Sequence, residues 1–378
     1  MRQSVICGYV RSPFSFGGKG ELTKIRPDDL ATIVVKELID RTKVNPQDIE
    51  DLILGCAFPE GEQGLNLARL IVLNADLPIS IGGATVNRFC GSSMQAIHQA
   101  AGAIAADSGD VFICAGVESM SRIPMGGFNP LPNAKLYERV PGAYMSMGDT
   151  AENVAAKWNI SRQEQEQFAY DSQLKAAKAQ GEGHFKDEII AIPTKAGPVE
   201  QDSCIRPNTT LEALAGLKPA FDENGTVTAG TASPITDGAS AVMVCSEEYA
   251  KKNGLPILAR IKSFAVAGCD PEIMGIGPVV ASKKALERAG LSIDDIDIFE
   301  LNEAFASQAI ACMRELKIDP AKVNLDGGAI ALGHPLGATG ARITGKAAML
   351  LKRDGKRYAL STQCIGGGQG IATILEAI

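Results

Sequence analysis

Residues 34–58, VVKELIDRTKVNPQDIEDLILGCAF, align without a gap to residues 281–305, ASKKALERAGLSIDDIDIFELNEAF. Identities fall at Lys36 and Lys283, Arg41 and Arg288, Asp48 and Asp295, Ile49 and Ile296, Leu54 and Leu301, Ala57 and Ala304, and Phe58 and Phe305. Each copy reads as an amphipathic helix, a turn and a short strand, so the chain is expected to contain two similar βαβ-type halves. A length of 378 residues leaves room for such a duplicated core and an insertion.

The insertion is read at residues 119–239, a stretch rich in Gly, Pro, Asn and Met. Inside it Ser161 and Glu164 have capping-box spacing, and Gln165, Phe168, Leu174 and Ala177 continue a helical pattern. Residues 1–118 form the first half, with 240–254 returning to it, and residues 255–378 form the second. Strand-like runs stand at the start of the chain, at ASAVMVCS and at ILARIKSFAVAG. An insertion of this size usually serves as a lid or binding element.

Four segments carry candidate chemistry. In GGATVNRFCGSSMQAIHQAAG, a β-type run ends at Cys90 and a helix follows, so the thiol is expected to face a helix N-terminus. That field favours thiolate and lowers the pKa from about 8.5. An arbitrary cysteine is otherwise a small core residue. In GGAIALGHPLGATGARI, His334 sits in irregular backbone before a helix starting near Ala338, and is the best candidate base. His98 reads as a packed helix residue and His184 as a solvated loop residue. Cys364 precedes three glycines, which can aim N–H groups at an oxyanion or form only a loose turn. Asn302 and Glu303 end an apolar strand, where polar residues commonly cap the next helix.

A net charge of −7 argues against a general nucleic-acid binder, and no apolar run reaches bilayer length. Nine cysteines without a CxxC pair indicate reduced thiols, with neither a disulfide framework nor a metal cluster. A cytoplasmic protein is expected.

NRFCGSSMQA, NEAFA, GGAIALGHPLGATGARI and CIGGGQG, in that order and approximate spacing, resemble the thiolase family over essentially the whole chain. The resemblance implies a five-layered αβαβα fold of two duplicated halves with an inserted loop domain. It implies Cys90 as nucleophile, His334 as its base, and Cys364 as the acid and base acting on carbon. One oxyanion site would combine His334 with a water held by Asn302; the other would combine the N–H groups of Cys90 and Gly366. Coenzyme A would be a co-substrate met by Arg206 near its nucleotide and Ser233 near its pantetheine, with Met147, Phe221 and Phe305 lining an apolar slot. No metal or resident cofactor is implied.

Ser146 in SMGDTAEN, TAGTAS, Pro234, Thr236 and ELNEAFA resemble degradative 3-ketoacyl-CoA thiolases more than acetoacetyl-CoA-forming relatives, which remain the alternative. The degradative branch implies fatty-acid β-oxidation, a homodimer or homotetramer, and a partner subunit carrying the hydratase and dehydrogenase steps. A ketoacyl synthase would lack Cys364, and a decayed, non-catalytic lipid-binding relative would have lost one of Cys90, His334 or Cys364.

Overall fold

A computed structural model describes residues 2–378. Ten strands form its sheet: β1 (Ser4–Arg11), β2 (Ser15–Phe16), β3 (Asp51–Gly55), β4 (Gly82–Val86), β5 (Val111–Ser119), β6 (Thr236–Ser246), β7 (Ala259–Gly268), β8 (Ile298–Leu301), β9 (Tyr358–Ile365) and β10 (Gln369–Glu376). The path runs β4-β3-β5-β6-β1-β7-β10-β9-β8, with β2 added beside β6. Outward from the short antiparallel join of β1 to β7, both directions give two further antiparallel steps and then a parallel one. Where the first half adds parallel β4 beside β3, the second has a single parallel bridge from Val323 to Phe299. The repeat is thus structural: helix Pro27–Thr42, turn Pro46–Asp48 and β3 return as helix Gly277–Ala289, turn Ile293–Asp295 and β8.

Alternating side chains along the strands build the layers. In the first half Leu52, Leu54 and Met243 face outward onto Leu30, Val34 and Leu38 of helix Pro27–Thr42 and onto Ile71 of helix Leu67–Asn74. Their neighbours Ile53, Val242 and Val244 face inward. There they meet Ile97, Ala100 and Ile104 of helix Ser92–Ala105, and Ala347, Leu350 and Leu351 of helix Leu336–Asp354. Ile298, Ala359 and Leu375 of the second half close that layer from the other side. Outside the second half, Phe299, Leu301 and Leu360 pack against helices Gly277–Ala289 and Ala306–Leu316. The order is helix, sheet, paired central helices, sheet, helix, which is the expected αβαβα arrangement.

The two central helices approach closely because glycine stands at the contacts. A Cβ at Gly116 of β5 would strike the carbonyl of Gly337, and one at Gly340 would strike the backbone of Met94. Ser93 Oγ accepts the Ala341 N–H at 2.8 Å, joining the first turn of one helix to the second turn of the other.

Helix Arg162–Glu182 begins in the expected reciprocal capping box of Ser161 and Glu164. Beyond it, the segment between β5 and β6 is anchored by buried charge. Arg11 holds Asp202 through two bonds of 2.6 and 2.8 Å and Glu188 at 2.8 Å. Lys346 reaches Glu188 at 3.0 Å and Asp326 at 2.7 Å. Arg353 adds a 2.6 Å bridge to Asp326.

Leu351 is fully buried between the sheets, so Leu351→Ala is expected to lower stability by about 2–5 kcal/mol. Leu174→Ala, on an exposed residue of helix Arg162–Glu182, should cost under about 0.5 kcal/mol. Chemical denaturation of both variants checks the contrast.

Candidate active site

Cys90 and His334 each stand two residues before one of the paired central helices, so the joining of those helices brings both to one end of the central layer. Cys90 follows Phe89, whose backbone is left-handed at φ 43°. That unfavourable conformation is held by Asn87 Oδ1, which accepts the Phe89 N–H at 2.8 Å. Ser92 Oγ also closes the turn, accepting the Arg88 N–H at 2.9 Å and donating to the Phe89 carbonyl at 2.6 Å. From the second half, the Gln363 amide donates to the Cys90 carbonyl, and the Gly366 N–H faces the Cys90 sulfur closely enough to favour its anion.

His334 is buried, and its backbone N–H donates to Thr236 Oγ1 at 3.0 Å. Its Nδ1 lies 2.6 Å from Thr339 Oγ1, whose own hydroxyl donates to the Pro335 carbonyl at 3.0 Å. With that hydroxyl proton committed, Nδ1 carries the ring proton and Nε2 is left as the acceptor. Asn302 Nδ2 faces Nε2 at 3.3 Å. Asn302 Oδ1 is buried with no hydrogen-bond partner. The helix beyond His334 starts at Leu336, slightly earlier than the sequence suggests.

Asn302 continues β8 beside β9, its N–H donating to the Thr362 carbonyl at 3.0 Å. The capping expected of this pair does not occur: helix Ala306–Leu316 has Phe305 at its N-cap and no side-chain cap. The Glu303 carboxylate is instead turned inward, accepting from Ser172 Oγ at 2.7 Å, Asn324 Nδ2 at 2.7 Å and the Ile330 N–H at 3.1 Å. It thereby links the inserted segment, the end of β8 and the approach to His334.

Cys364 is buried among Met147, Ala304 and Phe305, close enough to Cys90 for the two sulfurs to interact electrostatically. Phe221 meets Phe305 edge-on with ring centroids 5.9 Å apart. Met147 opens helix Met147–Lys157 just after its N-cap Ser146 and approaches Gly366. Ser233 reaches the same wall through its N–H, which donates to the Ala304 carbonyl at 2.9 Å. Arg206 stands outside this packed group, exposed, with its guanidinium 5.3 Å over the Phe16 ring. His98 is packed, stacked on Phe264 with centroids 4.4 Å apart. His184 is not simply solvated: its Nδ1 contacts Asp326 Oδ1 at 3.1 Å. Among the described residues no group of His, Cys, Asp and Glu is arranged to hold a metal ion.

The acidities reverse one expectation. Cys90 keeps part of its surface at the mouth of the site, yet burial dominates and pushes its thiol up to about 12. The Gly366 N–H opposes this, and the buried Glu118 carboxylate adds to it. Desolvation of the anion thus outweighs the backbone N–H groups that favour it. Burial, then the Arg342 cation, lowers His334 to about 3. At neutral pH the resting pair is a neutral thiol and a neutral imidazole. Burial and then the neighbouring Cys90 raise Cys364 well above the ordinary thiol value.

Thr339, Thr236 and Gln363 are supports that no sequence motif singles out. A hydroxyl one turn into the helix after His334 is a usable signal for Thr339. Thr236 and Gln363 arrive from other strands and carry none.

Two neighbouring thiols where two duplicated α/β halves meet, with an imidazole at the start of the adjoining central helix, fit the architecture of an acyl-transferring enzyme. Residues 4–248 match the thiolase N-terminal domain and residues 255–377 the thiolase C-terminal domain. The chain is 49% identical to a 3-ketoacyl-CoA thiolase of Bacillus subtilis and 48% identical to one of Pseudoalteromonas translucida, each match covering all of both chains. A crystal structure of human mitochondrial 3-ketoacyl-CoA thiolase, 40% identical, superposes with a TM-score of 0.91 over 100% of this chain and 99% of that one. A structure of the same human enzyme in complex with CoA gives 0.92. The chain belongs to the thiolase family, whose members are acyltransferases.

A thiol raised to about 12 by burial reacts slowly with alkylating agents at neutral pH. Iodoacetamide labelling of Cys90 in the ligand-free protein should rise steadily from pH 6 to 10; peptide mass spectrometry showing a plateau below pH 7 would instead reveal a resting thiolate.

Proposed function

We propose that the chain cleaves 3-ketoacyl-CoA with coenzyme A, releasing acetyl-CoA and a shortened acyl-CoA, with Cys90 carrying the acyl group between the two steps. The observation that carries this reading is the meeting of halves at one residue: the Gln363 amide donates to the Cys90 carbonyl, and Cys364 lies near enough to interact with the Cys90 sulfur.

His334 Nε2 takes the Cys90 proton as the sulfur attacks the 3-keto carbon. The tetrahedral oxygen is held by the N–H groups of Cys90 and Gly366, each donor contributing about 3–4 kcal/mol. The bond between C2 and C3 then breaks, and its electron pair passes to the thioester oxygen as an enolate. Protonated Nε2 donates to that oxygen, as does a water held by the unpartnered Oδ1 of Asn302. Cys364 gives its proton to the carbon, and acetyl-CoA departs. In the second step the incoming CoA thiol returns a proton to Cys364 and attacks the acyl-Cys90 thioester. Cys90 leaves as a thiolate and recovers its proton from His334. A high thiol pKa suits Cys364, because a group that stays protonated until a carbanion forms is a usable acid.

Met147, Phe221 and Phe305 form the apolar slot, supported by their packing around Cys364 and one another. Ser233 meets the pantetheine and Arg206, exposed on the inserted segment, meets the nucleotide. The reaction serves fatty-acid β-oxidation in the cytoplasm, a reading supported by nine free cysteines suited to a reducing compartment. Among the described residues no helix is long and apolar enough to cross a membrane. A second copy of the chain covers edge strand β4, supported by its partial exposure and by exposed Leu65, Leu70, Leu73 and Ile79 nearby.

Mixing with 3-ketooctanoyl-CoA in the absence of free CoA should leave an acyl adduct on Cys90, seen by mass spectrometry. Cys90→Ala should show none, and turnover by that variant would reject the mechanism. Cys364→Ala should lose thiolysis by at least about 10³-fold yet still accept an acetyl group from acetyl-CoA. Preference for 3-ketooctanoyl-CoA over acetoacetyl-CoA is expected; the reverse would mark a short-chain enzyme.

A further inference from the structure

The two amides that face the tetrahedral oxygen belong to different halves, so their separation depends on what ties the turns together. Cys90 lies on a turn strained at Phe89, and Gly366 is followed by Gly367 and Gly368, both left-handed at φ 80° and 84°. Each turn carries left-handed backbone, so the spacing of the two amides depends also on contacts between the turns.

Arg88 spans the gap. Its Nε donates to Gln95 Oε1 at 2.9 Å, on the helix that follows Cys90. Its Nη1 donates to Gln369 Oε1 at 2.7 Å, on the residue where β10 begins after the glycines. Among the described residues no carboxylate pairs with Arg88, although the side chain is half-buried and burial lowers its pKa. Desolvating a cation against two neutral amides is a costly way to hold a surface loop. A planar guanidinium fixes the angle between its donors, so Arg88, beside the Gln363 bond to the Cys90 carbonyl, helps set the distance from its own helix to the opposite turn.

We propose that Arg88 and Gln369 form a positioning pair that holds the Cys90 and Gly366 amides at the spacing the tetrahedral oxygen requires. The inference rests on the reading of Cys90 as the acyl carrier. Displacing an oxyanion donor by about 1 Å costs on the order of 10²-fold in rate without altering how substrate binds elsewhere.

The test uses Arg88→Lys, Gln369→Leu, the double variant and Gln369→Glu, which keeps an acceptor for Arg88. In steady-state thiolysis and rapid-quench acylation, Arg88→Lys and Gln369→Leu should each lower kcat and the acylation rate about 10- to 100-fold. KM should stay within about 2-fold and the melting temperature close to that of the parent. The double variant should lose no more than the worse single, and Gln369→Glu should restore most of the rate. The pair is rejected if kcat is unchanged, if the losses multiply, if they follow the melting temperature, or if Gln369→Glu is as slow as Gln369→Leu. Cys90→Ala, run alongside, separates the two claims: turnover there sinks the acyl-carrier reading, whereas an inactive Cys90→Ala with a normal Arg88→Lys sinks only the clamp.

Discussion

Two helix starts can be neighbours only where nothing bulky stands between them, and the paired central helices meet that condition with backbone against backbone. Gly340 faces Met94 and Ser93 bonds the Ala341 amide, while Gly116 lets β5 approach Gly337 of the second helix. The five layers follow from this contact, because each sheet buries its inner face on the same helix pair. So does the chemistry: Cys90 and His334 are far apart along the chain, yet each precedes one of these helices. Side chains at those glycines would part the helices, and the site would open with the core.

The same burial governs the charges. Burial raises the Cys90 thiol and lowers the His334 imidazole, so both rest uncharged at neutral pH. Donors already aimed at the site then act in a low-dielectric setting, where they are worth more than in water. The Thr339 hydroxyl matters here despite being neutral, since it fixes which ring nitrogen is bare.

Much of the fold was legible because the duplicated helix, turn and strand is a local pattern. Cys90 at a strand-to-helix turn and the capping box at Ser161 were readable for the same reason. The acidity of Cys90 was not: a helix N-terminus is visible in the sequence, but desolvation is contributed by residues from every layer. Glu303 looked like a cap because polar residues after a strand often are, and only the fold shows Ser172, Asn324 and Ile330 converging on it. Thr236, Gln363 and Gln369 each come from a strand remote from the group they touch. The match with known thiolases covers both halves, while no single local motif revealed how their side chains interlock.

The buried ions around Glu188 join stretches of chain far apart in sequence. Arg11 and Asp202 emerge early, but Glu188 also pairs with Lys346, and Lys346 with Asp326, near the chain's other end. Without that last helix, a docked Glu188 would lack one of its two cations inside the protein, an arrangement disfavoured by several kcal/mol, on the order of 3–5. The ion network of the inserted segment is therefore complete only when helix Leu336–Asp354 is in place, which couples the middle of the polypeptide to its final fifth in the folded protein.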